Sequence, residues 1–496
     1  MLKMMKRLCA GILSVALASA ICACGSEKKE GGEITRLKMI LPGDKPAIYD
    51  EIYGKLNEML REDIGAELEV EYYNYSDLNQ KYSLLFSSGE ECDIVFAADW
   101  LQYNQQASKN SFMEITDDML KEYAPKTYET LTEIIKNEAS VNGKLYMIPN
   151  TAKEYSENVV LIRGDLREKY GLGKLNDIND FEKYLTMIAE KESDIIPVVD
   201  LALSGLWTRD AVIAIPPSTE LAYDIEKDEF VKKDYQDWYI NSVKKTRELV
   251  DKGVIPADIS VNKTTGSMFE NGKAATYVKN LETSSSMAKK LRASHPEWKI
   301  EMYSFKKDVP KVINSSISNG LSLNRICKNP EKALQTIELL RNDKRYFDLT
   351  WYGIEGKHWQ AEGDRGYISL NDSLPAEEKY VAGAVWGWKN ESMLRRDSSE
   401  IPEKQEILDA WEQVTVDSDI YGFTFDDTNV KTEIATVKST ASQYGGPLYN
   451  GMVAAGEIDK AFSEYQKKLE QAGIDKIYDE VTRQYKEYRE KKDAGK

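Results

Sequence analysis

The chain has 496 residues, of which 42% are apolar and 30% are charged, a profile typical of folded globular proteins. Its formal net charge of −17 argues against nucleic-acid binding, which demands a basic surface, and against a basic membrane-binding face. The length exceeds what one hydrophobic core usually supports, so at least two lobes are expected.

The N-terminus is typical of a signal peptide and is set apart from the fold. Three cations within the first seven residues precede an uncharged apolar stretch over residues 8–20, which is too short to span a bilayer. The segment Ile21-Cys22-Ala23-Cys24 resembles the bacterial lipobox, which implies a signal peptide over 1–23 and a diacylglycerol on Cys24. Ala18-Ser19-Ala20 also fits ordinary secretory cleavage, the alternative. Residues 24–34 are polar and glycine-containing, so we predict a lipidated tether.

Two cysteines, Cys92 and Cys327, are left once the signal peptide and the lipidated position are set aside. Each lies in or beside an apolar run, so we expect two small buried side chains. The sequence leaves a bridge between them open.

The first module alternates strand and helix. Apolar spacing predicts strands over residues 36–41, 68–72 and 93–98 and helices over 52–64 and 78–88. Such a β-α-β-α-β unit folds as right-handed crossovers around a parallel sheet. Ligands bind beyond the carboxyl ends of such strands. Those ends are Pro42-Gly43-Asp44, Asn74-Tyr75 and Asp99-Trp100.

Catalytic motifs are scarce. The chain has only two histidines, His295 and His358, so a histidine-based zinc site or a Ser-His-Asp triad would need one of them. We expect His295 at the surface and His358 in a structural role. Neither a nucleophile elbow, a His-Glu-x-x-His motif nor a phosphate loop is present. We therefore predict no enzyme, no cofactor and no metal, although 83 acidic residues leave a glycosidase carboxylate pair open.

A series of short motifs follows in a distinctive order. They are NGKLYMIP at 142–149, VVLI at 159–162, MFENGKAATY at 268–277, NPEKAL at 329–334, WYGIEGKHW at 351–359 and VKTEIA at 430–435. In this order, behind a lipobox, they resemble the large oligosaccharide-type extracellular solute-binding lipoproteins of ABC importers, in particular the LipO and LplA-like proteins. The last motif resembles the start of the LipO-type C-terminal domain of unknown function.

The resemblance implies an α/β, two-lobed periplasmic-binding-protein-like fold with a hinge crossed more than once and a helical C-terminal region. Crossings are expected near Tyr155–Val159 and Val309–Ser318. In the tail, Ile458, Phe462, Tyr465 and Leu469 share one helix face. The implied ranges are 35–155 and 156–310 for the first parts of lobes 1 and 2, 311–350 for the return to lobe 1, 351–427 for cleft loops and helices, and 428–496 for the helical C-terminal domain.

Ligand contacts are expected where strands end and in glycine-flanked loops, because aromatic rings stack on sugar faces and polar side chains bind hydroxyls. A helix cap with packed aromatic rings is the alternative role for Asp99, Trp100 and Tyr103, and packing is the alternative for the candidates in glycine-flanked loops. Strand ends and loops give Asp99, Trp100, Tyr103, Asn280, Trp351, Glu355, Trp386 and Trp388 as candidates, with Trp207 ranked lower. The resemblance adds Asn150, Lys153, Glu154 and Tyr155, because members of the family place ligand contacts at the first crossing between the lobes.

Together these features predict a lipid-anchored receptor on the extracytoplasmic face of the cell membrane. It would capture a small-molecule solute, in the first instance an oligosaccharide, by closure of the two lobes and deliver it to the permease subunits of an ABC importer. A peptide or another solute is the second hypothesis. A glycan-active enzyme or a surface adhesin is the third.

Overall fold

A computed structural model describes residues 33–155, 157–198, 201–209, 211–215, 218–256, 265–416 and 418–494. The signal peptide, Cys24 and the tether before residue 33 lie outside these ranges, so the lipid anchor stays a prediction. Within the described ranges, helices that combine the length and the apolar character needed to cross a membrane are absent.

Strands and helices alternate through the first part of the chain. They are β1 (Thr35–Pro42), α1 (Tyr49–Ile64), β2 (Ala66–Tyr73), α2 (Leu78–Ser88), β3 (Ile94–Ala97), α3 (Tyr103–Ser108), α4 (Asp117–Tyr123), α5 (Pro125–Thr130), α6 (Glu133–Glu138), β4 (Ser140–Val141), β5 (Lys144–Leu145) and β6 (Ile148–Pro149). The middle of the chain continues the alternation. It forms β7 (Asn158–Ile162), α7 (Gly164–Lys169), α8 (Ile178–Lys191), β8 (Val212–Ile215), β9 (Ser218–Asp224), β10 (Glu229–Lys232), α9 (Asp237–Asp251), α10 (Thr265–Glu270), β11 (Thr276–Asn280), α11 (Leu281–Ser294) and β12 (Glu301–Tyr303).

The last third of the chain is mostly helical. It forms β13 (Gly320–Leu323), α12 (Pro330–Asn342), α13 (Lys344–Tyr352), β14 (Trp359–Glu362), β15 (Gly366–Ser369), β16 (Arg396–Asp397), α14 (Pro402–Gln413), α15 (Lys431–Thr440), α16 (Gly446–Tyr449), α17 (Ile458–Ala472) and α18 (Ile474–Ala494).

Lobe 1 is built on a five-stranded sheet with the order β2-β1-β3-β13-β6. β1 pairs in parallel with β2 and with β3, which confirms the predicted parallel unit, and each predicted element lies within three residues of its observed bounds. β13 comes from more than 200 residues further along the chain and pairs antiparallel with both β3 and β6. β6 therefore runs in the same direction as β3.

Lobe 2 contains a three-stranded sheet with the order β11-β7-β12, in which both outer strands run antiparallel to β7. Its core includes Val160, Phe181 and Leu185, all fully buried. A buried ion pair adds to it: the Arg167 Nε and Nη2 atoms each donate to a Glu301 carboxylate oxygen at 2.9 Å. This fork-like geometry is the one in which a buried pair offsets its desolvation.

The C-terminal helices pack on the part of the chain that belongs to lobe 2, a question that the sequence left open. The predicted face of α17 is buried against the β8–β10 sheet and α18. Across this boundary the Tyr223 and Tyr485 hydroxyls lie 3.1 Å apart. α9 joins the two cores, because Val243 packs into the C-terminal core and Leu249 into that of lobe 2.

The chain passes between the lobes three times. The first pass lies between β6 and β7, the second between β12 and β13, and the third between β16 and α14. Tyr380, Val385 and Trp388 pack in the lobe 1 core, whereas Ile407 and Trp411 pack against the lobe 2 sheet in a cluster that includes Leu161. The range 351–427, predicted as one set of cleft loops and helices, is therefore divided between the lobes.

Both remaining cysteines are buried free thiols, as expected, and no bridge joins them. The Cys92 sulfur accepts a hydrogen bond from the Asn324 amide nitrogen at 2.9 Å. Burial raises the pKa of Cys92 to about 11 and that of Cys327 to about 12, so both thiols are protonated and unreactive at neutral pH.

Candidate functional site

Three strand ends meet at one edge of the lobe 1 sheet. β3 ends at Ala97, β13 begins beside it at Gly320, and β6 ends beside Gly320 at Pro149. Backbone and side-chain bonds join the residues just beyond these ends. Trp100 Nε1 donates to the Ser318 carbonyl at 2.9 Å, and the Asn150 N–H donates to the Asn319 carbonyl at 2.9 Å. The sheet register thus brings together segments that lie far apart in the sequence.

Two tryptophans flank a buried phenylalanine at this edge. The Trp100 and Trp386 ring centroids lie 5.8 and 6.3 Å from that of Phe96, and Trp100 keeps 47% of its surface exposed. A β-carbon at Gly387 would lie 3.0 Å from the Phe96 ring, so the glycine lets the turn that carries Trp386 approach the sheet. We call the Trp100, Trp386 and Phe96 rings the aromatic platform.

A polar rim borders the aromatic platform. Lys389 Nζ lies 2.9 Å from Glu154 Oε1, and the Asn319 amide nitrogen donates to Glu154 Oε2 at 3.3 Å. Asn150 is only 2% exposed, and its Nδ2 atom has no partner among the described residues. An unpaired buried amide donor costs about 1–3 kcal/mol, so a water or a ligand oxygen at this edge would stabilise the protein.

Asp99 lies at the base of the platform. Its burial raises its pKa to about 6, the nearby Glu138 carboxylate adds to this, and the Trp100 N–H, which donates to Asp99 Oδ1 at 2.6 Å, opposes it. Asp99 therefore changes from a hydrogen-bond donor to a pure acceptor near pH 6.

The hinge supplies a second group of side chains. The Tyr155 hydroxyl lies 2.8 Å from Thr415 Oγ1, and the Tyr155 ring lies 5.5 Å from that of Trp411. Trp411 Nε1 in turn donates to Ser304 Oγ at 3.3 Å. Tyr155 thus links the first pass between the lobes to α14 and the residues after it.

Three of the predicted ligand contacts have packing roles in the structure. Tyr103 is 1% exposed, donates to the Ala139 carbonyl and stacks on Phe112. Trp388 is also 1% exposed, and its Nε1 atom donates to Thr350 Oγ1 at 3.3 Å. Trp351 is the last but one residue of α13 rather than a loop residue, and its ring stacks on Phe347.

Other candidates have local roles. Asn280 caps α11 by accepting from the Thr283 N–H at 2.9 Å, and Glu355 accepts from the Ala361 N–H at 3.4 Å. Trp207 packs on the lobe 2 core. Lys153 is exposed between the rim residues Asn150 and Glu154. The structure thus brings together Asp99, Trp100, Asn150, Glu154 and Trp386, with Tyr155 at the adjoining hinge.

The sequence reasoning missed Ser318, Asn319 and Lys389. The first two precede the antiparallel strand β13, whose amino end lies at the same edge as the carboxyl ends of its neighbours. Lys389 follows two predicted tryptophans, and its pairing with Glu154 makes it part of the rim.

His358 has the expected structural role. It is 1% exposed, and its Nδ1 atom accepts from the Ile354 N–H at 2.9 Å. Burial lowers its pKa. Within the described ranges, no group of three or more His, Cys, Asp or Glu side chains is placed to hold a metal ion.

Two other concave surfaces are poorer candidates. One, of about 430 Å³, opens at the amino ends of β1, β2 and β3; it is lined by charged and aliphatic residues such as Arg36, Lys38 and Glu91, and none of its lining residues is aromatic. The other is an open groove along α15. The aromatic platform combines flat rings with buried polar groups, which neither of these two surfaces does.

The sequence profile of the bacterial extracellular solute-binding proteins matches residues 55–352, more than half of the chain. The chain belongs to this family. Residues 419–490 of this solute-binding protein also match a domain family of unknown function, which confirms the predicted C-terminal domain.

Individual relatives agree with this assignment. A carbohydrate ABC transporter substrate-binding protein of Streptococcus pneumoniae serotype 4 is 27% identical over 500 residues, which cover 96% of each chain. The N-glycan transport solute-binding protein NgtS of Streptococcus pneumoniae has a similar structure, with a TM-score of 0.75 at 22% identity over 92% of this chain and 100% of that one. An extracellular solute-binding protein from Bifidobacterium longum subsp. infantis gives 0.66 at 15% identity over 92% and 98%. The two structures share the fold of this solute-binding protein.

Asp99 gives the solute-binding protein a testable pH dependence. Its pKa of about 6 in the folded protein exceeds the ordinary 3.8, so the folded state holds the proton more tightly. Stability from this group is therefore full below about pH 4 and is lost as the pH rises through 6. We expect Asp99→Asn to remove this loss of stability, which is on the order of 2 kcal/mol. The free energy of unfolding of the variant should therefore rise relative to that of the wild type from pH 4 to 7. Urea unfolding across this range measures the difference; a difference that is constant with pH would contradict the assignment.

Proposed function

We propose that this protein is a lipid-anchored receptor that captures an oligosaccharide and delivers it to the permease of an ABC importer. The observation that carries the proposal is the aromatic platform with its polar rim at the strand-end edge of lobe 1. In open α/β sheets this edge is where ligands bind. The carbohydrate ABC transporter relative and NgtS, whose structure with Man5GlcNAc is known, support a glycan as the solute.

The chemistry of the site fits a sugar. A pyranose presents a C–H face to a ring and hydroxyl groups at its edges, so it needs flat aromatic surfaces with donors and acceptors around them. Trp100 and Trp386 supply the surfaces. The Glu154 and Asp99 carboxylates accept hydrogen bonds from hydroxyls, and Asn150 Nδ2 and Lys389 Nζ donate them.

Capture by lobe closure needs no covalent step. The three passes between the lobes form a hinge, and a glycan on the platform would be covered when lobe 2 closes over it. The closed form is the state that the permease would recognise, because ligand shifts the protein toward it. The protein is therefore proposed to bind its glycan without cleaving it.

The position of the first strand, β1, supports an anchored receptor. β1 begins at Thr35 at the amino edge of the lobe 1 sheet, and the platform lies at the carboxyl edge. A lipid on Cys24 would therefore hold the molecule by the edge opposite its ligand. Attachment near the membrane raises the local concentration of receptor at the permease.

A ligand screen tests the proposal. The chain from residue 25 onward is mixed with a panel of neutral and acidic oligosaccharides and with peptides, and its melting temperature is measured. A ligand at a hundred times its Kd stabilises the folded form by about 2.7 kcal/mol. We expect one or a few glycans to raise the melting temperature and to be recovered intact. Cleaved glycan would identify an enzyme, and shifts with peptides alone would identify a peptide receptor.

A further inference from the structure

Glu138 joins three separate parts of the chain. It is the last residue of α6 in lobe 1 and is only 7% exposed. Its Oε1 atom accepts from the Gly422 N–H at 3.0 Å, and its Oε2 atom accepts from the Ser316 N–H at 2.8 Å and from the Ser316 hydroxyl. Gly422 belongs to the C-terminal domain, and Ser316 to the second pass between the lobes.

The contact is built into the C-terminal domain. Thr424 Oγ1 donates to the Glu138 carbonyl at 3.1 Å. Gly422 has a φ of +89°, and a β-carbon there would lie 2.9 Å from the hydroxyl of Tyr488 on α18. The absence of a side chain at Gly422 lets its N–H reach Glu138 while α18 packs behind it.

Glu138 is also connected to the ligand site, through Ser316 and through its neighbour Ala139. Ser316 begins the short helical turn Ser316–Ser318, and the Ser318 carbonyl receives the bond from Trp100 Nε1. The residue after Glu138, Ala139, accepts the hydroxyl bond of Tyr103, which follows the Asp99–Trp100 turn. The acceptor of the Trp100 Nε1 bond and the residue that holds Tyr103, just after the Trp100 turn, are therefore both connected to Glu138.

We propose that the C-terminal domain is an interlobe brace that acts through Glu138. The core of this domain is continuous with the β8–β10 sheet on the lobe 2 side, whereas Glu138 belongs to lobe 1. The bond between Gly422 and Glu138 therefore connects the lobes outside the three hinge passes. The brace sets the relative position of the lobes and fixes the turn that holds Trp100. Glu138 is thus a positioning residue, and only its expected effect on affinity rests on the proposed glycan site.

Glu138→Gln breaks the contact with little change in shape. Both carboxylate oxygens accept N–H donors, and an amide has one oxygen, so one set of bonds is lost and an N–H faces an N–H. Thr424→Val is a second variant, on the C-terminal side, that removes only the hydroxyl bond. Glu133→Gln, an exposed glutamate on the same helix, is the matched control.

The primary measurement is the distance between spin labels at Lys55→Cys in lobe 1 and Lys191→Cys in lobe 2, both exposed, in the ligand-free chain from residue 25 onward. Cys92 and Cys327 are buried and do not react with the label. We expect Glu138→Gln to broaden or shift the distance distribution, Thr424→Val to do so less, and Glu133→Gln to leave it unchanged. Glycan affinity should fall about fivefold in Glu138→Gln, or ~1 kcal/mol.

The outcomes separate this proposal from the proposed function. Unchanged distances in a folded Glu138→Gln protein would overturn the brace, even if affinity falls. If Glu138→Gln does not fold, the distances in Thr424→Val decide, and values equal to those of the control would overturn it. Failure of the wild type to bind any glycan would refute the proposed solute, and the distance distributions would still test the brace.

Discussion

Replacing Trp388 by alanine should lower the free energy of unfolding of lobe 1 by about 3–5 kcal/mol. The indole is 1% exposed within the lobe 1 core, so the substitution leaves a cavity there. It also removes the donor to Thr350 Oγ1, which bonds back to two carbonyls of its own helix. Calorimetry measures the change, and the unfolding temperature of the variant is expected to be much lower than that of the wild type.

Trp386→Ala is the matched control for this prediction. Trp386 lies two residues earlier in the same short turn but is half-buried at the site, so its loss should lower the free energy of unfolding by about 1 kcal/mol and weaken glycan binding. Equal destabilisation by the two variants would contradict the assignment of Trp388 to the core.

The regular elements of lobe 1 could be predicted because their pattern is local. Ile52, Leu56 and Leu60 recur at helical spacing and are fully buried in α1, which ends at Gly65 in the left-handed conformation. The strands of the parallel unit each carry their own apolar pattern. The apolar face of α17, in the C-terminal domain, could also be predicted, because an apolar stripe on a helix must be covered by some other surface.

The sequence does not predict the direction in which a single aromatic side chain points after the end of a strand. Trp100 and Tyr103 lie three residues apart, yet one is exposed and the other is in the core. Gln102, between them, has a φ of +60°, which redirects the chain so that Tyr103 enters α3 facing inward. The spacing of Trp100 and Tyr103 does not predict a left-handed residue between them, so the sequence predicts both rings as ligand contacts.

Long-range register is the second limit. Ser318 and Asn319 reach the site because β13 inserts between β3 and β6 in the antiparallel direction. Local periodicity identifies strands but carries no information on which strand will be the neighbour or in which direction it will run. The rule that ligands bind at carboxyl ends therefore predicts Asp99, and it does not predict the residues at the amino end of β13.

Trp100→Ala should weaken glycan binding about 10- to 100-fold, or ~1.4–2.7 kcal/mol, with little loss of stability. The ring is 47% exposed, and the bond from its Nε1 atom to the Ser318 carbonyl fixes its orientation before the ligand arrives. A fixed, exposed aromatic surface loses little side-chain entropy on binding, which is why it contributes more than a mobile one. Isothermal titration calorimetry with the best glycan of the screen measures the change in Kd.

Two further variants separate the ring from its hydrogen bond. Trp100→Phe keeps an aromatic face but lacks the Nε1 donor, so its Kd should lie between those of the wild type and the alanine variant. Leu84→Ala removes another exposed apolar side chain, on α2, and should leave the Kd unchanged. If Trp100→Ala binds glycan as tightly as the wild type does, the platform is not the binding surface.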